Sequence, residues 1–166
     1  MNRALNIFAA LTILFFSACG HTTSSGNASP ETWFPLTLGG KKISVQLALN
    51  QAQWQKGLMG RPTLGPDKGM LFVFNEPTSR TFWMKDTPLP LELGYFTADG
   101  VLRELHLLYP YNMNSVRSRR TDILIALEMN QGWFIHNQVL PGATLDMEAL
   151  RKAIRDRGLN PEEFGL

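Results

Sequence analysis

The sequence predicts a mainly β fold: a small, partly open β-barrel or sandwich, with a short helix after the second strand and another at the C-terminus. Three observations predict it. Ile43, Val45, Leu47 and Leu49 alternate with Ser44, Gln46 and Ala48, the period of a half-buried strand. Short apolar segments then recur at close intervals between Gly, Pro and Asp turn signals, which suits a barrel or sandwich better than βαβ units. Only two stretches carry helix signals. The 166 residues allow one domain of ordinary size. Four Trp, ten Phe and 44% hydrophobic residues supply enough apolar surface to offset ordering entropy, so the chain is not a disordered one.

Element by element, Trp33–Leu38 and Lys42–Leu49 form two strands joined at Gly39-Gly40, a hairpin signal. Asn50 opens a short helix, with Gln53 as its capping-box partner and Gly57 as its stop. Arg61 to Lys68 holds two prolines and a glycine and reads as loop. Strands follow at Met70–Phe74, Phe82–Lys85, Leu91–Phe96, Val101–Leu108, Ile123–Met129 and Trp133–Asn137, with a turn at Thr97-Ala98-Asp99-Gly100. Asp146 caps a final helix over Met147–Arg157, whose Met147, Leu150 and Ile154 share one face.

The N-terminus reads as an address. Arg3 precedes an apolar run from Ala4 to Ala18, shorter than the roughly 20 residues a spanning helix needs but matching a secretory signal. Its end, Phe16-Ser17-Ala18-Cys19, resembles the bacterial lipobox, which implies removal of residues 1–18 and lipidation of Cys19. Acyl chains there would contribute about 0.8 kcal/mol per buried CH2. Gly20, rather than Asp, follows the cysteine, so the expected location is the outer membrane, facing the periplasm. Residues 19–32 then form the anchor and a flexible tether. Its 13 residues after Cys19 reach about 20 Å. The folded domain is expected over 33–166. A single cysteine in the sequence excludes a disulfide framework and a Cys-based zinc site.

Five segments carry a family resemblance: Gly57-Leu58-Met59-Gly60-Arg61, Gly69 to Phe74, Phe82-Trp83-Met84-Lys85-Asp86-Thr87, Pro90-Leu91-Glu92, and Leu127-Glu128 followed by Gly132-Trp133. In that order they resemble domain of unknown function 192, over about residues 36–146. The resemblance implies a small, mainly β domain, often secreted or lipid-anchored in bacteria, and carries no established activity. Three positions depart from the family pattern: Asp86-Thr87 replaces Asn-Thr, Glu92 replaces Asp, and Gly142-Ala143 replaces Gly-Asp.

Arg61 is a planar fork suited to carboxylate or phosphate. Asp86, Glu92 and Glu128 are acids within apolar segments, where burial raises a carboxyl pKa unless donors or cations compensate. One reading gathers Arg61, Asp86, Thr87 and Glu92 into a polar pocket rimmed by Trp83 and Met84, with Glu128 as a further ligand-binding candidate. The other pairs Arg61 with one buried acid and makes the Trp-Met segment core. The first gives a ligand- or partner-binding module at the cell envelope. A hydrolase using Asp86, Glu92 or Glu128 as acid and base is the alternative, and its stereochemistry would turn on their separation. A purely structural envelope component is the third. No Gly-x-Ser-x-Gly elbow is present. His106, His136 and the seven methionines show no metal-ligand spacing, so no catalytic residue, metal or cofactor is assigned. Arg117, Arg119 and Arg120 form a basic loop cluster suited to solvent or to anionic head groups. Sixteen Lys and Arg against fourteen Asp and Glu give no electrostatic case for a nucleic-acid partner.

Overall fold

In a computed structural model, Met1 and residues 27–166 are described. The expected signal segment, Cys19 and the first part of the tether lie outside the described residues. The strands are β1 (Phe34–Leu38), β2 (Lys41–Ala48), β3 (Lys68–Thr78), β4 (Thr81–Phe82), β5 (Leu91–Phe96), β6 (Leu102–Leu108), β7 (Val116–Arg117) and β8 (Ile123–Asn130). The helices are α1 (Gln51–Lys56), α2 (Trp133–His136) and α3 (Met147–Asp156), followed by a 3-10 turn at Pro161–Phe164. Six strands form one sheet in the order β1-β2-β3-β8-β5-β6, while β4 and β7 form a separate two-stranded sheet.

Local chemistry explains most of these elements. Gly39 and Gly40 both hold positive φ, as a two-residue hairpin that follows the strand twist requires. They set Phe34 opposite Val45 and Leu36 opposite Ile43. The Asn50 side chain accepts from Gln53 N, and Gln53 Oε1 accepts from Leu49 N at 2.7 Å, so one free donor of the first turn of α1 and the N–H just before its cap are satisfied. The helix α1 carries the chain from β2 to β3, which pair in parallel. At the other end of the chain, Asp146 accepts from Ala149 N to open α3. Leu150, Ala153 and Ile154 bury the inner face of α3.

The large sheet is apolar on both faces. Leu71 and Val73 of β3, Leu124 and Leu127 of β8 and Leu102 of β6 join one core, which α2, α3 and the 3-10 turn help to fill. Phe72 and Phe74 of β3, Ala126 of β8 and Leu93 and Tyr95 of β5 join a second core on the opposite face. The sheet edges β1 and β6 are brought together at one end by residues 144–145. Gly39 N donates to Thr144 O and Leu145 N to Gly100 O, each at 2.9 Å, with bridges Leu38 to Leu145 and Val101 to Thr144. The fold is therefore mainly β and partly open, curled about the first core without closing into a barrel.

Three local expectations are corrected. Trp133–Asn137 is not a strand: Gly132, at φ 84°, turns the chain, and the Glu92 carboxylate takes the Gly132 and Phe134 N–H groups at 3.2 and 3.3 Å, leaving helix α2. Only Phe82 of the expected strand Phe82–Lys85 lies in a strand, because Met84 N donates to Asn112 O and Lys85-Asp86 turns away. The basic stretch read as loop at Arg117 instead contributes to β7, which pairs with β4. Just before β1, Ala28 N donates to Asp156 O at 2.7 Å and the Gln46 side chain donates to Glu31 O at 2.9 Å, so residues 28–31 are fastened to the domain.

Candidate functional site

The strand β8 lies at the centre of the sheet, between β3 and β5. Its alternation points Leu127 and Met129 into the first core and Ala126 towards the second. Glu128 lies between Leu127 and Met129 and so shares the Ala126 face, level with Met70 of β3 and Leu93 of β5. A carboxyl at that place has a neighbouring strand on each side. Glu128 is 4% exposed. Its Oε2 is the one buried side-chain nitrogen or oxygen among the described residues without a hydrogen-bond partner. Loss of water pushes the carboxyl up to about 8, since burial penalises the charged form. Glu128 therefore holds its proton at neutral pH.

Above it opens a cleft of about 410 Å³, with Glu128 in its lining. Trp54 of α1 and Phe74 of β3 form one wall, their ring centres 5.1 Å apart. Phe82 stands edge-on to Phe72 at 5.0 Å, an arrangement that aromatic quadrupoles favour. Trp83, 47% exposed, forms the rim. Trp54 Nε1 donates to Ala48 O at 3.0 Å, so its polar end is already partnered. The Arg80 guanidinium lies over the Phe74 ring at 3.8 Å and donates to the carbonyls of Glu76 and Ile123. Burial lowers its pKa, against the opposing charge of Glu76.

Gly57 ends α1 and closes the cleft beside the acid. Its φ of 44° and ψ of −133° are conformations that a side chain strains to reach. A Cβ added there would lie 3.4 Å from Phe72 and 3.9 Å from Glu128 Oε2. The glycine that reads in sequence as a helix stop thus also brings the chain close over the buried carboxyl.

Of the residues expected to form a site, Trp83, Thr87 and Glu128 line this cleft together. Thr87 Oγ1 donates to Lys85 O at 3.0 Å. Met84 is buried in the second core. Asp86 is exposed in its turn at φ 50°, and its carbonyl accepts from Gly60 N at 2.8 Å. Glu92 faces the opposite side of the sheet, since it pairs with Met129 while Leu93 pairs with Glu128. Arg61 donates to Gln46 Oε1 at 2.6 Å rather than to an acid, and lines a second cleft of about 460 Å³ across the Gly57–Arg61 loop. Of the three acids, only Glu128 lines this cleft. Trp54, Phe72, Phe74 and Arg80 are the lining residues that sequence reasoning missed. The parity of β3, with Met70, Phe72 and Phe74 on one face, holds the signal for the two Phe once β3 is paired with β8.

The basic loop cluster serves another acid. Arg119 N and Arg120 N donate to the two oxygens of Glu104 at 3.1 and 2.8 Å, and His106 Nε2 lies 2.9 Å from Oε2. Burial alone would raise the Glu104 carboxyl, but these donors outweigh it and hold the group at about 2. Among the described residues no group of three or more His, Cys, Asp or Glu is placed to hold a metal. None of the described helices is long and apolar enough to cross a membrane.

The model of the family DUF192, described as uncharacterized ACR, matches residues 34–147. A crystal structure of a candidate transcription regulator from Sinorhizobium meliloti 1021 is 33% identical, with a TM-score of 0.67 over 73% of this chain and 97% of that one. A protein of unknown function from Novosphingobium aromaticivorans DSM 12444 is 28% identical, with a TM-score of 0.66 over 76% of this chain and 99% of that one. No curated protein matches the chain.

Proposed function

This chain belongs to the DUF192 family, and we propose that it is a ligand-binding module held at the bacterial cell envelope by a lipid on Cys19. The observation that carries the binding reading is the unpartnered, buried Glu128 Oε2 at an aromatic cleft. An unsatisfied buried polar group costs about 1–3 kcal/mol, and replacing both it and its surroundings by apolar atoms would remove that cost. A site that keeps such a group beside exposed aromatic area is built to receive a partner for it. The ligand is small: the cleft falls within the usual range of about 300–1,000 Å³ for such sites. The anchor rests on the lipobox-like Phe16-Ser17-Ala18-Cys19, and the outer membrane on Gly20 after it.

The near-balanced charge of the chain favours a small molecule over nucleic acid, for which phosphate neutralisation supplies most of the affinity. The test is to purify the full chain from its native membrane, release bound small molecules by denaturation and identify them by mass spectrometry. A compound recovered with wild type and lost from Gln51→Trp, which fills the cleft mouth from the exposed side of α1, supports the reading. Identical recovery from both proteins contradicts it. Separately, Cys19→Ser is expected to move the protein out of the membrane fraction, and unchanged fractionation removes the anchor from the account.

A further inference from the structure

Resting on that reading of the cleft, we propose that its ligand is an uncharged, largely apolar molecule, of aromatic size, carrying a carbonyl-type acceptor that takes a hydrogen bond from the Glu128 carboxyl. The argument starts from what remains unpaired. Thr87 Oγ1 is spent on Lys85 O, Trp54 Nε1 on Ala48 O, and the Ser79 hydroxyl accepts from Arg117. The other polar side chains of the lining, Gln51, Gln55, Lys56 and Thr81, are exposed to solvent. At the buried floor, beside Phe72, Phe74 and Leu58, Glu128 is the unpartnered polar group, which selects a ligand whose inserted end is apolar and carries one polar atom.

The sign of that group follows from its surroundings. Around Glu104, backbone N–H groups and a histidine stabilise the anion. Around Glu128 no hydrogen bond or ion pair does so, and the carboxyl keeps its proton as a donor. The other charged groups in the cleft lining are Lys56 of α1 and Arg80 ahead of β4. Both are cations, and both disfavour a cationic ligand. Arg80 lies on Phe74 and directs two of its N–H groups to protein carbonyls, which closes its Nε edge to an anion. From β5, Tyr95 shares the face, and burial, Glu104 and Glu128 together raise its pKa, so it stays a neutral phenol. From β3, Glu76 lines the neighbouring hollow and pairs electrostatically with Arg80.

The test titrates the full chain with three probes of similar size: acetophenone, cumene and benzyltrimethylammonium. Binding is followed by NMR at the indole N–H signals of Trp54 and Trp83. Acetophenone is expected to bind wild type and Glu128→Gln within threefold of each other, because Gln keeps a neutral donor, and Glu128→Leu at least tenfold more weakly. Cumene, which lacks the acceptor, is expected to bind wild type at least tenfold more weakly than acetophenone. Acetophenone affinity should fall about tenfold per pH unit above pH 8 as the donor proton is lost. Benzyltrimethylammonium binding more tightly than acetophenone, strengthening with pH and disappearing in Glu128→Gln, would overturn the proposal and make Glu128 a counter-ion. Equal binding of cumene and acetophenone overturns it as well. If none of the probes shifts the two indoles the proposal also fails, whereas the binding reading itself stands or falls on the compound recovered from the membrane.

Discussion

Glu104 and Glu128 are both buried carboxyls on one face of the same sheet, yet they sit at opposite ends of the protonation scale. Glu104 is on the edge strand β6, within reach of the loop that carries Arg119 and Arg120, and is held at about 2. Glu128 is on the central strand β8, where neighbouring strands occupy the space that donors would need, and is pushed to about 8. The difference teaches that burial alone does not mark a functional acid. Glu104 is a fastener: it ties the β7 loop to the sheet through backbone N–H groups. Glu128 ties nothing, and its buried, unpartnered Oε2 lies at a cleft. Glu92, on the opposite face, resembles Glu104, because its carboxylate anchors the first turn of α2.

The comparison breaks most visibly at the fastener. Glu104→Ala strands the Arg119 and Arg120 N–H groups and is expected to cost about 3 kcal/mol, read as a lower urea midpoint. A loss below about 0.5 kcal/mol would mean that the loop holds itself. Glu128→Leu should act in the opposite direction, raising stability by about 1–2 kcal/mol already at pH 5, because a buried polar group without a partner is replaced by apolar contact. A clear destabilisation would show that Glu128 has a structural partner. Glu92→Gln is expected to cost about 1 kcal/mol, since an amide oxygen still accepts from Gly132 and Phe134 while the charge is lost. The smallest effect belongs to Asp86→Asn, within about 0.5 kcal/mol in thermal unfolding. Asn tolerates the positive φ of this exposed turn, and the bond from Gly60 N goes to the backbone carbonyl.

Local signals made much of the fold legible. The Gly39-Gly40 hairpin, the Asn50 and Asp146 caps and the alternation in β2 each depend on a few neighbouring residues, and each appears where the sequence places it. The failures are non-local. The run Trp133-Phe134-Ile135-His136 reads as a strand until Glu92, 40 residues earlier, takes its first N–H groups. The site was half legible for the same reason. Glu128, Thr87 and Trp83 stood out as polar or aromatic residues inside apolar segments, and they do meet. Arg61, Asp86 and Glu92 were grouped with them by motif. Strand order and parity send Glu92 to the other face, and the Gly57–Arg61 loop sends Arg61 to another cleft. A one-residue difference in parity reverses a side chain, and no short window of sequence contains the pairing that decides it.

The central claim is that Glu128 is buried as a protonated, unpartnered acid. Its folded pKa lies above the ordinary 4.5, so the folded state binds more protons than the unfolded one in between. Its contribution is full below about pH 4.5 and is lost as pH rises through about 8. The most direct measurement is urea unfolding of wild type and Glu128→Leu in parallel from pH 5 to 9. The gap should widen in favour of Glu128→Leu by up to about 1.4 kcal/mol per pH unit, and level off once pH passes about 8. Parallel stability curves across that range would contradict the account, because they would place the Glu128 carboxyl at an ordinary pKa.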